Sequence, residues 1–151
     1  MNQRLEILQI NLGKSRAASN QLEQGCQEIN PSFVCIQDRY TSGKKISGIP
    51  IEYNTIASTT PKCAILIREE NCTIFPLIVK QNIVAIQCSY SNMMIVIINI
   101  YIPPFSEFDK TVLELDSIIS SQQGKYLILT GDLNSEKCYM RETLMMKEVN
   151  N

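Results

Sequence analysis

The sequence predicts an α/β fold, on three observations. Apolar runs of strand length alternate with two amphipathic stretches of helix length, four strand-like runs follow one another mid-chain, and turn residues punctuate the boundaries. "LEILQINL" (Leu5 to Leu12) alternates apolar and polar residues before Gly13, which reads as a strand. From Ser15 to Ile29, Ala18, Leu22, Cys26 and Ile29 recur at helical spacing with Gln and Glu opposite, and Asn30 and Pro31 stop the helix. "SFVCIQD" is a short, nearly continuous apolar strand that ends at Asp38, and "TSGKKISGIP" is a loop rich in Gly, Ser and Lys. "CAILIR", "CTIFPLIV", "IVAIQCSY" and "MMIVIINIYI" follow with short turns between them and predict an antiparallel meander. Pro76 cannot donate to a ladder, so its strand should lie at an edge or carry a bulge. "SEFDKTVLELDSIISS" reads as a helix with Ser106 as cap, Asp109 three residues on, and Val112, Leu115 and Ile119 as its apolar stripe. "KYLILTGD" is the next strand, and there are no internal repeats.

Length and composition agree with one globular domain. A chain of 151 residues can bury roughly two thirds of the surface it exposes when unfolded. With 44% hydrophobic and 19% charged residues there is no block of like charge to suggest a disordered tail. The net charge of -1 removes a global electrostatic argument for nucleic-acid binding and shifts attention to local patches: Lys14 with Arg16, and Arg39 with Lys44 and Lys45. The six cysteines form no C-x-x-C pair, and four sit in apolar strand-like runs, so buried free thiols are expected. "MNQRLEILQI" lacks the apolar core of a signal peptide, and Met93 to Ile102 is too short to span a bilayer. An intracellular, reducing setting with no membrane partner is the expectation. Without histidine or paired cysteines a structural zinc site is not expected.

Three strand ends carry polar residues: Asn11 after "LQI", Asp38 after "VCIQ", and Asp132 with Asn134 after "LILTG". Each residue is also a common turn former. Their recurrence is the informative part, because loops at one end of a packed sheet bring distant side chains together. Tyr101, before the double proline of "NIYIPP", is a fourth candidate.

"LQINLGKSRAAS", "VCIQDRYTSGKKISGIP", "AILIR", "VIINIYIPPFSEFD" and "LILTGDLNS" stand in the order and approximate spacing of a known family. Over roughly residues 5 to 135 the chain resembles the endonuclease domain of non-LTR retrotransposons of the R1 and Jockey-like group, in the endonuclease/exonuclease/phosphatase superfamily. The resemblance implies a four-layer α/β sandwich of two mixed, largely antiparallel sheets flanked by helices. It also implies DNA as partner, a nuclear location, and Mg²⁺ or Mn²⁺ as the cofactor for cutting one DNA strand. Phosphodiester hydrolysis asks for hard oxygen ligands, charge stabilisation at the phosphate and a group that orients water. By the resemblance, Asn11 lies near the metal and Asp38 stands where the family has its metal-binding glutamate. Tyr40 and Tyr101 match tyrosines at the phosphate site, Asp132 the carboxylate that positions the nucleophile, and Asn134 the amide on the phosphate. Lys14, Arg16 and Arg39, with Lys44 and Lys45, would flank that site as phosphate contacts, or be solvated loop charges.

Two departures from the family pattern stand out. Aspartate replaces glutamate at position 38, and the chain has no histidine, whereas the family's histidine is central to hydrolysis. The expected division is a partial domain over residues 1–135, truncated at its C-terminus, and an unaligned tail over 136–151 in which Met140, Leu144 and Met145 make a weak helical stripe. Impaired catalysis is therefore expected, as is self-association through unpaired sheet edges. The alternative is a non-catalytic module that binds protein or nucleic acid.

Overall fold

The computed structural model describes residues 4–39, 41–42, 45–46, 48–60, 62–68, 72–104, 107–134 and 145–148, with backbone alone at 41–42, 45–46 and 145–148. Strand β1 (Ile7–Asn11) leads into helix α1 (Arg16–Ile29) and strand β2 (Phe33–Gln37). Then come β3 (Thr41–Ser42), β4 (Lys45–Ile46), β5 (Asn54–Ala57), β6 (Cys63–Ile67), β7 (Thr73–Val79), β8 (Ile83–Tyr90) and β9 (Met93–Tyr101). Helix α2 (Phe108–Ser120), β10 (Tyr126–Asp132) and β11 (Met145–Glu148) complete the order.

Two mixed sheets form, ordered β1-β2-β6-β5 and β11-β10-β9-β8-β7. Pairing is parallel at β1/β2 and at β9/β10, and antiparallel elsewhere. The period-two alternation of the strands sorts their side chains into three apolar layers. Val34, Ile36, Ala64 and Leu66 face α1 and meet its Leu22 and Cys26. Phe33, Cys35, Cys63 and Ile65 turn the other way and meet Val84, Ile86, Ile97 and Ile128 of the second sheet. Val96, Ile98, Ile100 and Leu127 pack under Leu115 and Ile118 of α2. The result is the expected four-layer sandwich, helix on sheet on sheet on helix.

Local signals account for the helix ends. Ser15 Oγ accepts the Ala18 N–H at 3.1 Å as the N-cap of α1, and Asn30, left-handed at φ +55°, donates its N–H to Cys26 O at 2.9 Å. Ser106, expected to cap α2, lies outside the described residues; Glu107 holds the cap position without a side-chain bond, and Asp109 sits in the first turn. Pro76 behaves as its chemistry requires: β7 is an edge strand and its register slips between Pro76 and Ile78.

Several expectations are corrected. The four-strand meander is three strands, β7-β8-β9; "CAILI" joins the first sheet between β2 and β5. Its residues are buried on both faces, so their pattern does not say which sheet receives them. The partner strand β5 arises in a stretch with no marked alternation, half of it exposed. The loop over 41–50 contains the two-residue ladder β3/β4. In the tail, Met145 begins a strand and not a helical turn: β11 pairs antiparallel with β10 from Tyr126 to Leu129. That pairing covers an edge expected to stand open and weakens the ground for self-association. Among the described residues no helix is long and apolar enough to cross a membrane.

Five cysteines are described, all free: Cys26, Cys35, Cys63 and Cys88 are buried and Cys72 partly so, while Cys138 lies outside the described residues. Burial, the largest cause, pushes the thiols of Cys35 and Cys88 up to about 12 and that of Cys63 to about 11. Burial likewise pushes the phenols of Tyr53 and Tyr101 up to about 12. In the unfolded chain thiols lose protons near pH ~8.5 and phenols near ~10. Above those values the unfolded state holds fewer protons than the folded one, so stability falls as pH rises. The expected outcome is a melting temperature that declines progressively from about pH 8.5 toward pH 12. Circular dichroism melts across that range check it, and a constant midpoint up to pH 11 contradicts it.

Candidate active site

The layer between the sheets is apolar at one end and polar at the other. Reading only the residues that face it, β1 offers Ile7, Gln9 and Asn11, and β2 offers Phe33, Cys35 and Gln37. From the second sheet, β9 offers Ile95, Ile97, Asn99 and Tyr101, and β10 offers Ile128, Thr130 and Asp132. Each list turns polar toward the C-terminal end of its strand, and parallel pairing brings those ends together within each sheet. Hydrogen bonds across the layer show that the ends of the two sheets also meet. Asn11 Nδ2 donates to Asp132 Oδ2 at 2.6 Å, Gln9 Nε2 to Gly131 O at 3.4 Å, and Gln37 Nε2 to Asn99 Oδ1 at 2.6 Å.

Asp132 is held at both oxygens, since Oδ1 accepts the Asn134 N–H at 3.0 Å. Asn134 is left-handed at φ +43°, a conformation asparagine tolerates, and its Nδ2 donates to Ile102 O at 3.0 Å. Asp38 is also left-handed, at φ +47°, and its backbone is gripped from two sides. Its N–H donates to Lys62 O at 2.7 Å and its carbonyl accepts the Lys14 N–H at 2.6 Å. Non-glycine residues in this region cost on the order of 1 kcal/mol or more, and such strain concentrates where a side chain must be aimed.

Tyr101 is the meeting point. It is 5% exposed, and its phenol lies close enough to the Asp38 and Asp132 carboxylates and to Asn134 for all three to act on its ionisation. Burial is the first cause of its raised pKa; the charges of Asp38 and then Asp132 add to it, because a phenolate beside two carboxylates is disfavoured. Asp38 therefore approaches from the first sheet, and Asp132 and Asn134 from the second, around one buried hydroxyl.

The basic candidates divide. Lys14 Nζ stands 4.0 Å from Asp38 Oδ1 with its side chain largely exposed, and Arg16 opens α1 exposed to solvent. Arg39 points inward: it is 7% exposed, and the charged form is disfavoured by that burial while Cys63 lies close enough to favour it. Tyr40 and Lys44 lie outside the described residues, and Lys45 is described by its backbone in β4.

Asp38 and Asp132 offer carboxylate oxygens, and Asn11 an amide oxygen that also accepts the Gly13 N–H at 2.9 Å. Such a set fits a hard divalent ion of the Mg²⁺ type, which takes one or two carboxylates and keeps much of its water. It suits zinc poorly, and among the described residues no group of three or more His, Cys, Asp or Glu could hold a metal.

Solved structures share this architecture. The endonuclease domain of TRAS1, a telomere-specific non-LTR retrotransposon, matches with a TM-score of 0.76 at 19% identity, over 88% of this chain and 62% of that one. An endonuclease/exonuclease/phosphatase family protein from Leptotrichia buccalis matches at 0.58 and 13%, over 87% and 69%. An AP endonuclease from Archaeoglobus fulgidus matches at 0.58 and 19%, over 90% and 60%. The chain has the endonuclease/exonuclease/phosphatase fold. It spans 62% of the length of the TRAS1 domain. No family model matches the chain, and no curated protein matches it.

Within this endonuclease/exonuclease/phosphatase fold, five of the residues singled out from the sequence, Asn11, Asp38, Tyr101, Asp132 and Asn134, come together at one end of the sandwich. Sequence reasoning missed the layer beneath them: Gln9, Gln37, Asn99 and Thr130. The signal was available in the period of two, since Asn99 lies two residues before Tyr101, and Thr130 two before Asp132.

Proposed function

We propose that this chain carries a divalent-metal-dependent DNA phosphodiesterase site of the kind a retrotransposon endonuclease uses for target-site nicking, working at reduced rate. The observation that supports it most is the convergence of Asp38, Asp132 and Asn134 on Tyr101, with Asn11 bonded to Asp132. Asp38 and Asn11 would hold the ion. When bound, Mg²⁺ or Mn²⁺ supplies neutralisation of phosphate charge and a lowered pKa for water. Asp132, fixed at both oxygens, orients the attacking water and accepts its proton. Tyr101 and Asn134 donate toward the phosphate oxygens, and Lys14, Arg16, Arg39 and Tyr40 serve the flanking phosphates. The DNA would be nuclear.

Two features slow the reaction. Aspartate at 38 draws its carboxylate back by one methylene, and a misplacement of about 1 Å costs on the order of 100-fold. The 151 residues contain no imidazole to shuttle protons, a contribution of roughly 10²- to 10⁴-fold. A second reading, a module that binds DNA or protein without cutting, is favoured by one contact: the Lys14 ammonium stands 4.0 Å from Asp38, where it competes with a cation.

Incubation with supercoiled plasmid separates these readings. The expected result is slow appearance of nicked circles with Mg²⁺ or Mn²⁺, abolished by EDTA. Folded protein that shifts DNA in salt-dependent anisotropy assays but leaves the plasmid supercoiled points to the second reading. Absence of both nicking and metal heat in calorimetry sinks the first.

A further inference from the structure

The buried amide of Asn99 has no part in the roles above, and it makes more cross-layer contacts than any of the proposed catalytic groups. It is fully buried in β9, two residues from Tyr101. Its Nδ2 donates to two carbonyls of the opposite sheet, Ile36 O at 3.0 Å and Ala64 O at 2.9 Å. Its Oδ1 accepts from Gln37 Nε2 at 2.6 Å and shares the single Thr130 hydroxyl hydrogen with Ile98 O, each 3.2 Å from Thr130 Oγ1. One amide thus uses both hydrogens and its oxygen to tie β2, β6 and β10 to β9. Gln37 immediately precedes Asp38, Thr130 lies two residues before Asp132, and Tyr101 lies on the strand of Asn99 itself. All the groups that converge on the phenol hang from strands that this amide holds.

Burying such a cluster is unfavourable relative to an apolar layer unless the geometry is needed. Gln37 Oε1 is buried with no hydrogen-bond partner among the described residues, a residual penalty that an aliphatic side chain would avoid. The neighbouring inward positions at the other end of the layer, Phe33, Ile95 and Ile128, are apolar. Among the described residues, the side-chain hydrogen bonds of Gln9, Asn11, Gln37 and Asn99 that cross the layer lie at the end that carries the site.

We propose that Asn99 is a positioning residue: through Gln37 and Thr130 it sets the separation of the two sheets at the site, and with it the reach of Asp38 and Asp132 toward Tyr101. The inference rests on the proposed phosphodiesterase site for its use, but its geometry can be read without activity. The gauge is the Asn11 Nδ2–H hydrogen bond to Asp132, which spans the same gap.

The test uses the full chain labelled with ¹⁵N-asparagine, with the Asn11 side-chain signal assigned by its loss in Asn11→Ser. Asn99→Ala removes the whole hub, and Thr130→Val removes one contact while keeping a strand-compatible shape. Ile95→Val, in the same strand at the apolar end of the layer, is the control for general loosening. The expected result is that Asn99→Ala and Thr130→Val move the Asn11 side-chain amide toward its free-amide position and speed its exchange at least tenfold, while Ile95→Val leaves it in place. If Asn99→Ala does not fold, Thr130→Val decides. A folded Thr130→Val or Asn99→Ala that melts earlier yet leaves the Asn11 signal unmoved overturns the proposal, as does an equal shift in Ile95→Val. Where wild-type protein nicks plasmid, kcat should fall about a hundredfold in Asn99→Ala with KM little changed. A wild type that does not nick removes the proposed activity and leaves the amide readout intact.

Discussion

Gly131→Ala is expected to destabilise the protein by roughly 2–5 kcal/mol, combining strain at one residue with overpacking against backbone. Gly131 has φ +153°, outside the range L side chains ordinarily adopt, and a Cβ there would overlap the Ile100 carbonyl oxygen and stand 2.5 Å from Ile100 Cγ2. The obstacle cannot step aside cheaply. Gly131 and Ile100 are registered partners in the parallel ladder between β10 and β9, and Ile100 is fully buried under α2. For a chain of this length each kcal/mol moves the midpoint by roughly 2–4 °C, so a drop on the order of 10 °C is expected in a thermal melt. A loss below about 1 kcal/mol would show that the ladder yields more easily than this geometry allows. The substitution also adjoins Asp132, so a folded Gly131→Ala protein should lose nicking by at least as much as it loses stability.

Asp132→Asn should do the opposite: little change in stability and a loss of activity of roughly 10²- to 10⁴-fold. The amide keeps the volume and can still accept the Asn134 N–H through its oxygen. Where Oδ2 accepted from Asn11 Nδ2, however, an NH₂ group would face a second NH₂ group, and one of the two must turn. The carboxylate charge also disappears from beside Asp38 and Tyr101, which lightens the burden on the phenol and lowers its pKa from about 12 toward the ordinary value. A melting point within a few degrees of wild type with nicking gone fits a group kept for chemistry at some expense of stability. Asp116→Asn, on the exposed face of α2, is the control and should nick normally. Wild-type nicking by Asp132→Asn removes Asp132 from the mechanism.

How much of this was legible in the sequence depends on how local each feature is. Helix α1 was readable at both ends because its cap, its stripe and its left-handed stop are all neighbours in the chain. Pro76 announced an edge because a missing N–H is a property of one residue. Placement of "CAILI" was not readable: a strand buried on both faces carries no mark of its sheet, and its partner β5 shows too little alternation to announce itself. The site divides the same way. Asn11, Asp38, Asp132 and Asn134 stood out as polar residues ending apolar runs. Which of them touch was set by the packing of one sheet on the other, a register that no local pattern encodes. Arg39 shows the limit, since a basic residue beside a strand end carries no local mark that its side chain will be only 7% exposed.

The bond between Asn11 and Asp132 joins residues 121 positions apart in the chain. At synthesis rates of about 5–20 residues per second, roughly 6 to 24 s pass between the appearance of one partner and the other. During that interval β1, β2, β5 and β6 have all been made, and α1 can cover one of their faces. The other face, with Phe33, Cys35 and Ile65, waits for strands not yet translated. The nascent chain therefore presents a half-finished sandwich to the cell, open on its greasiest side, and its yield should depend on chaperone capacity more than the stability of the finished protein would suggest.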